Sequence, residues 1–268
     1  MLDQPYKHRA ASGPRLLVVS GGKQGVGATT LAINLAATLA CDALRVVLVD
    51  ADFARPGIAA QCGVSDAIGI GDVLAGRRTV HEAIQRGPAG LQIVAGLSAG
   101  QLRGSLPERI SNRVLRQFRS LAPHADWVII DCGHESHGLV AEFWSAAEHV
   151  LLVTSPDAVA VMDTYSLVKQ LFARQQPTCE LSLIVNQAED QASAADVHRR
   201  IDQSCRRFLG MSLDYSAALP NDNAAQAAAR ATTPLALRSP ASPLAIAIEG
   251  FASRLCQGDS SRRERLAA

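Results

Sequence analysis

Lysine is almost missing from this chain. Among 268 residues only Lys7, Lys23 and Lys169 are lysines, and every other basic side chain is arginine. Net charge is missing too: 26 basic against 25 acidic residues leave +1. That balance argues against a strongly basic nucleic-acid coat or an acidic tail, while leaving room for local patches. No apolar run approaches the roughly 20 residues that span a bilayer. The opening segment MLDQPYKHRAASGPR has no hydrophobic stretch and does not read as a secretory signal. The six cysteines (Cys41, Cys62, Cys132, Cys179, Cys205 and Cys256) form no CxxC pair and do not cluster with histidine. A zinc site or a disulfide framework is therefore not indicated, and they read as reduced thiols of a cytoplasmic protein. Internal repeats and low-complexity linkers are also lacking.

Apolar residues, at 48%, are plentiful enough to build a sizeable core. They come in a regular alternation. Short β-branched runs at 16–19, 46–49, 91–94, 128–130, 150–153 and 181–185 have no polar alternation and read as buried parallel strands. Helix-period stretches follow at 30–39, 109–121, 139–147, 161–172 and 194–208. In the second of these, Ile110, Val114 and Leu121 oppose Arg113, Arg116 and Arg119. Strand–helix alternation of this length predicts a single α/β domain, with a mostly parallel sheet covered by helices on both faces. Its expected limits are 14–257, between a flexible leader at 1–13 and a disordered tail at 258–268.

The strongest chemical signal is LLVVSGGKQGVGATT, residues 16–30. A buried strand enters a glycine-rich turn and leaves it as an amphipathic helix. Gly25 and Gly27 allow backbone conformations and close approaches that a side chain would block. Successive N–H groups at a helix start can cradle phosphate oxygens. Thr29 stands where a hydroxyl would ligate Mg²⁺. Gly22 and Gly27 have P-loop spacing, but Ala28 follows where the common GxxxxGK[ST] loop carries lysine.

GKQGVGATT resembles the deviant Walker A loop, GKGGVGK[ST]T, of the MinD/ParA class of P-loop ATPases. The resemblance runs from Leu16 to Leu255 and implies the three-layer P-loop NTPase fold, with ATP and Mg²⁺ as ligands. It assigns Gly22, Lys23, Gln24, Gly25, Val26, Gly27, Ala28, Thr29 and Thr30 to the nucleotide. Lys23 is the family's signature lysine, which reaches the phosphates across an ATP-dependent homodimer. In VLVDADFARPG, Asp52 would orient or activate the attacking water, and Asp50 would belong to the Mg²⁺ surroundings with Thr29. Asp131 resembles the Walker B aspartate. The sequence after it, Cys132-Gly133-His134-Glu135, departs from the usual small-residue switch. LIVNQ and ALPND resemble the adenine loops, with Asn186 reading the base edge and Pro220 and Asp222 beside it. Gln187 replaces the family's arginine.

Three stretches are similar to the flagellar MinD-like proteins (FlhG, FleN, YlxH): GDVLAGRRTVHEAIQRGPAGLQIVAG, LLVTSPDAVAVMDTYSLVKQLF and RRFLGMSLDYSAALPND. Asp3, Gln4 and Arg9 match the spacing of that branch's leader motif, which acts on an FlhF-type GTPase; Pro5 and His8 do not match. Leu244, Ile248, Phe251 and Leu255 form an apolar stripe followed by Arg254, Arg262 and Arg263. Such a helix suits peripheral contact with an anionic membrane, and equally a last helix packed on the sheet.

Ala28 removes a point charge from the β/γ-phosphates, so the expected enzyme hydrolyses ATP slowly or not at all. Three readings follow: a nucleotide-dependent dimerising switch in flagellum placement or related spatial organisation, a non-hydrolysing scaffold similar to the pilus-assembly proteins CpaE and TadZ, and a ParA-like DNA partition ATPase. Near-neutral charge and scarce lysine count against the third, which Arg77-Arg78, Arg199-Arg200 and Arg206-Arg207 keep open. The related bacterial tyrosine kinases are set aside, because no tyrosine follows Tyr215.

Overall fold

The structure, a computed structural model, describes residues 13–96, 108–136, 138–174 and 179–267. The leader motif Asp3, Gln4 and Arg9 lies outside the described residues. In chain order the elements are β1 (Arg15–Gly21), α1 (Ala28–Cys41), β2 (Val46–Asp50), α2 (Ile58–Cys62), α3 (Ile70–Ala75), α4 (Val80–Ala83), β3 (Gln85–Arg86), β4 (Gln92–Val94), α5 (Glu108–Ser120), β5 (Trp127–Asp131), α6 (Gly138–Ala146), β6 (His149–Thr154), α7 (Ala158–Arg174), β7 (Glu180–Ala188), α8 (Gln191–Leu209), β8 (Asp214–Pro220), α9 (Asn223–Arg230), α10 (Leu235–Arg238) and α11 (Pro243–Ala267).

The eight strands form one sheet in the order β3-β4-β2-β5-β1-β6-β7-β8. Every pairing is parallel except β3 with β4. The central strands are buried on both faces, which is why their sequences do not alternate with polar residues. Side-chain direction still alternates: Leu16 and Val18 join the core under α5 to α8, whereas Leu17 and Val19 join the core under α1 and α11. Helix α1 is apolar almost all round because it lies between the sheet and α11. Its one buried amide, Asn34, is satisfied: Nδ2 donates to the Thr30 carbonyl at 2.7 Å, and Oδ1 accepts from the Leu235 N–H at 2.7 Å.

All six expected strands are present, and the fold is the expected three-layer α/β arrangement. Two further strands carry weaker patterns. β3 has two residues, and β8 lies at the sheet edge with only Ala217 and Leu219 buried. The terminal stripe resolves toward packing: Leu244, Ile248, Phe251 and Leu255 are buried in the second core. Helix α11 runs on through the segment expected to be a disordered tail.

Parallel strands bring their carboxyl ends to one edge. β1 is the strand at which the sheet's winding reverses, with β5 on one side and β6 on the other. In such sheets the crevice at that edge is the ligand position.

Candidate nucleotide site

The glycine-rich turn leaves β1 at this edge. Its backbone is tied down by Gly21 N–H to the Gly133 carbonyl (2.7 Å) and Gly22 N–H to the Val153 carbonyl (3.3 Å). Gly25 and Gly27 have φ of 85° and 91°, the left-handed region that glycine adopts without strain. Gly27 is the N-cap of α1, so the helix starts at Ala28 with its first N–H groups facing the turn. A Cβ on Gly27 would run into Asn186 Nδ2, so the glycine also makes room for that amide.

A cleft of about 330 Å³ opens over this turn. Of the residues expected at the nucleotide, Lys23, Gln24, Gly25, Gly27, Ala28, Thr29, Thr30, Asp52, Asn186, Pro220 and Asp222 line it. Gly22, Val26, Asp50 and Asp131 do not; Val26 packs inward, 3% exposed. The cleft also takes in residues given no role from sequence, among them Arg55, Asn221 and Gln226. Arg55 carried a readable signal, being the one cation inside VLVDADFARPG.

Three aspartates meet at the ends of β2 and β5, two of them by direct pairing of Asp50 with Asp131 in the sheet register. Asp50 is fully buried. Its Oδ1 accepts from the Asp52 N–H (3.2 Å), and its Oδ2 from the N–H groups of Gly57 (2.9 Å) and Ile58 (3.0 Å). Both oxygens are therefore engaged by backbone, and Asp50 holds the loop after β2 rather than facing the cleft as a free ligand. Burial, with the Asp131 charge adding, pushes its carboxyl up to about 7 against the amide bonds that oppose the shift. Asp52 Oδ1 accepts from the N–H groups of Ala54 (3.1 Å) and Arg55 (2.8 Å), and Gly133 leaves the space its carboxylate fills.

Asp131 differs from both. Gly133 donates its N–H to Oδ1 at 3.2 Å and the nearby Thr29 hydroxyl favours the charged form, but Oδ2 is buried with no hydrogen-bond partner. Burial raises its carboxyl to about 6. An orphaned buried carboxylate oxygen is costly, and a cation removes that cost. Among the described residues no three His, Cys, Asp or Glu side chains group as ligands for a metal ion. Mg²⁺ takes one or two protein oxygens and fills its sphere with water and phosphate. Asp131 and Thr29 fit that ion; Asp50 stands behind them.

The adenine-side residues are occupied with structure. Asn186 Nδ2 donates to the Val26 carbonyl at 2.8 Å and Gln187 Nε2 to the Gly25 carbonyl at 3.1 Å, so this pair clamps the phosphate turn. The base-reading amide expected at Asn186 is thus committed, through its nitrogen, to the turn. Asp222 caps α9 through Ala224 N–H (2.8 Å) and ties α11 through Leu244 N–H (3.2 Å), which holds its carboxyl below the usual range. Lys23 stands at the mouth of the cleft, its Nζ 3.1 Å from Asp157 Oδ1.

A strand, a glycine turn, a capped helix and two opposed aspartate loops in this topology define a family, and the comparison is direct. The family described as an AAA domain matches residues 14–180. The chain belongs to this MinD/ParA-type AAA domain family. Among its relatives, the antiactivator FleN of Pseudomonas aeruginosa is 26% identical over 241 residues, covering 90% of this chain and 86% of FleN. The septum site-determining protein MinD of Synechocystis is 34% identical over 178 residues, 64% of each chain. MinD from Pyrococcus horikoshii, solved with Mg-ADP, superposes with a TM-score of 0.70 at 23% identity, covering 90% of this chain and 96% of that one. That likeness concerns the fold. In this MinD/ParA-type chain the phosphate turn, Thr29 and the three aspartates occupy the carboxyl edge described above.

Proposed function

We propose that this MinD/ParA-type protein is an ATP-binding switch whose two states differ in self-association. The observation that carries the reading is the unpartnered, buried Asp131 oxygen beside Thr29, next to a glycine turn that lines the cleft. The turn at 22–30 would bind phosphate oxygens, and Thr29 with Asp131 would hold Mg²⁺, which neutralises phosphate charge there. Asp52, whose Oδ1 is held by the Ala54 and Arg55 amides, would turn Oδ2 to a water at the terminal phosphate. Lys23, on the outer rim, is placed to reach a second copy of the chain once it leaves Asp157. By the resemblance of three stretches to the flagellar MinD-like proteins, the process served is flagellum number or placement, with an FlhF-type GTPase as candidate partner.

Ala28 supports a restrained version of this activity. Without the lysine charge the transition state loses a stabilising contact, so turnover is slow and the bound state long-lived. The same residue favours the second reading, a scaffold that binds nucleotide without hydrolysing it. For the membrane, α11 offers little: its stripe faces the core, and no helix among the described residues is long and apolar enough to cross a bilayer.

Equilibrium binding of ATP and ADP, with and without Mg²⁺, tests the common part. Absence of binding at millimolar ATP refutes both nucleotide readings. Turnover then separates them, and Ala28→Lys is expected to raise it if Asp52 and Thr29 are competent. No gain on restoring the lysine would assign the protein to the scaffold reading.

A further inference from the structure

The cleft lacks the lysine that ordinarily neutralises the β/γ-phosphates, and its substitute is not obvious. Lys23 lies on the rim and is ion-paired with Asp157. Arg55 is the other strong cation lining the cleft. Its side chain makes no hydrogen bond or ion pair with the described residues. Arg45, Arg77, Arg113 and Arg206 are tied to acidic or carbonyl oxygens, and what sets Arg55 apart from the unpaired arginines of the open surface is its place in the cleft wall. An unpaired arginine in the cleft wall is available to an anionic ligand.

The backbone that carries Arg55 is held as firmly as the phosphate turn. Asp52 Oδ1 binds the Arg55 N–H at 2.8 Å, and Asp50 Oδ2 binds Gly57 and Ile58 just beyond it. Pro56 lies against Gly96, where any Cβ would collide with the proline ring. Gly57 sits beside Thr29: a Cβ there would be 3.8 Å from Thr29 Cγ2. Two buried aspartates thus fix the loop against the wall that holds Thr29.

We propose that Arg55 supplies the charge absent at Ala28, binding the terminal phosphate of a nucleoside triphosphate seated on the turn. The inference rests on the nucleotide-binding reading above. A guanidinium is always protonated and presents a planar fork that fits two phosphate oxygens, so it substitutes for a point-charge lysine from another direction. Ala28 and Arg55 line the same cleft. The charge then enters from the loop after β2 instead of from the helix start. Recognition of the third phosphate is thereby coupled to the loop that Asp50 and Asp52 hold, and this side chain gives the site its preference for triphosphate over shorter nucleotides.

The test is equilibrium binding of ATP, ADP and AMP, each with Mg²⁺, to the full chain and to Arg55→Ala, Arg55→Lys, Ala28→Lys and the double variant Ala28→Lys/Arg55→Ala. Arg55→Ala is expected to weaken ATP by about tenfold or more, ADP less and AMP least, with an unchanged thermal unfolding curve. Arg55→Lys retains part of the affinity, and Ala28→Lys restores ATP binding to the Arg55→Ala chain. If the unsubstituted protein binds ATP and Arg55→Ala binds it equally well, or loses all three nucleotides alike, the role of Arg55 is refuted while nucleotide binding stands. If the unsubstituted protein binds none of the three, the nucleotide reading falls and the proposal with it.

Discussion

Lys23 Nζ and Asp157 Oδ1 are 3.1 Å apart, although 134 residues separate them in sequence. The same carboxylate oxygen accepts the Ala160 N–H at 2.9 Å, so one atom caps α7 and detains the lysine. The amide and the lysine together hold the Asp157 carboxyl below its ordinary range. Exposed pairs of this kind contribute little to stability, so the lysine is held back but readily released. Asp157→Asn keeps an oxygen for the cap and removes the charge. It is expected to leave the unfolding midpoint nearly unchanged and to increase ATP-induced dimer in light scattering. Lys23→Ala is expected to abolish that dimer; a dimer indifferent to Lys23 would remove it from the switch.

The two left-handed glycines of the turn are not equivalent. Gly25 has φ of 85° and nothing within 4 Å of a prospective Cβ, whereas Gly27 has φ of 91° and the Asn186 amide in the way. Gly25→Ala therefore meets only backbone strain, about 1–2 kcal/mol. Gly27→Ala adds a steric clash and is expected to cost at least about 1 kcal/mol more in urea unfolding. Placing Asn186→Ala in the Gly27→Ala chain removes the collision, and should recover stability even though Asn186→Ala alone costs about 1 kcal/mol. Simple additivity of the two losses would show that the amide does not obstruct position 27.

Asp131 makes the nucleotide-free protein sensitive to alkali. Its carboxyl is raised from 3.8 to about 6 by burial, and Asp50's to about 7. The folded state holds those protons more tightly than the unfolded chain. The associated stability is fully present below pH ~4 and is lost as pH rises through about 6 to 7. Asp131→Asn carries no such titration. It is expected to match the unsubstituted protein near pH 4 and to exceed it at pH 8 by about 1–3 kcal/mol in denaturant unfolding. The same substitution should reduce the Mg²⁺ dependence of ATP binding. Equal stabilities at both pH values would mean that burial does not raise the Asp131 carboxyl.

Helix α11 provides a contrast between two large apolar residues five positions apart. Phe251 is 4% exposed in the second core and Ile246 is 56% exposed. Phe251→Ala should destabilise by about 3–5 kcal/mol and Ile246→Ala by less than about 0.5 kcal/mol, read from urea midpoints. A small effect at Phe251 would mean that the helix detaches readily, and would reopen α11 as a membrane-facing element.

Much of this protein is legible along the chain. Residues 16–30 announce a strand, a phosphate turn and a helix because glycine at 25 and 27, apolar runs and helical periodicity are local properties. β8 was harder to read because an edge strand buries only alternate residues, here Ala217 and Leu219. The Leu244–Leu255 stripe was ambiguous for a different reason. An amphipathic face is the same sequence whether it meets lipid or a sheet, and only its contact with α1 and β8 decides.

The site divides in the same way. By itself the sequence determined the fold class, and it marked the glycine turn, Asp52, Asp131 and Ala28 as candidates, since each is a residue type at a fixed distance from a strand end. Only the tertiary structure decided what each polar group touches. Asp50 spends both oxygens on the Gly57–Ile58 and Asp52 amides, Asn186 clamps Val26 across 160 residues, Asp131 keeps one oxygen unpaired, and Arg55 faces the cleft with no partner of its own. Those assignments depend on which buried donors and acceptors meet when parallel strands bring distant loops to one edge. A one-dimensional pattern does not contain that pairing.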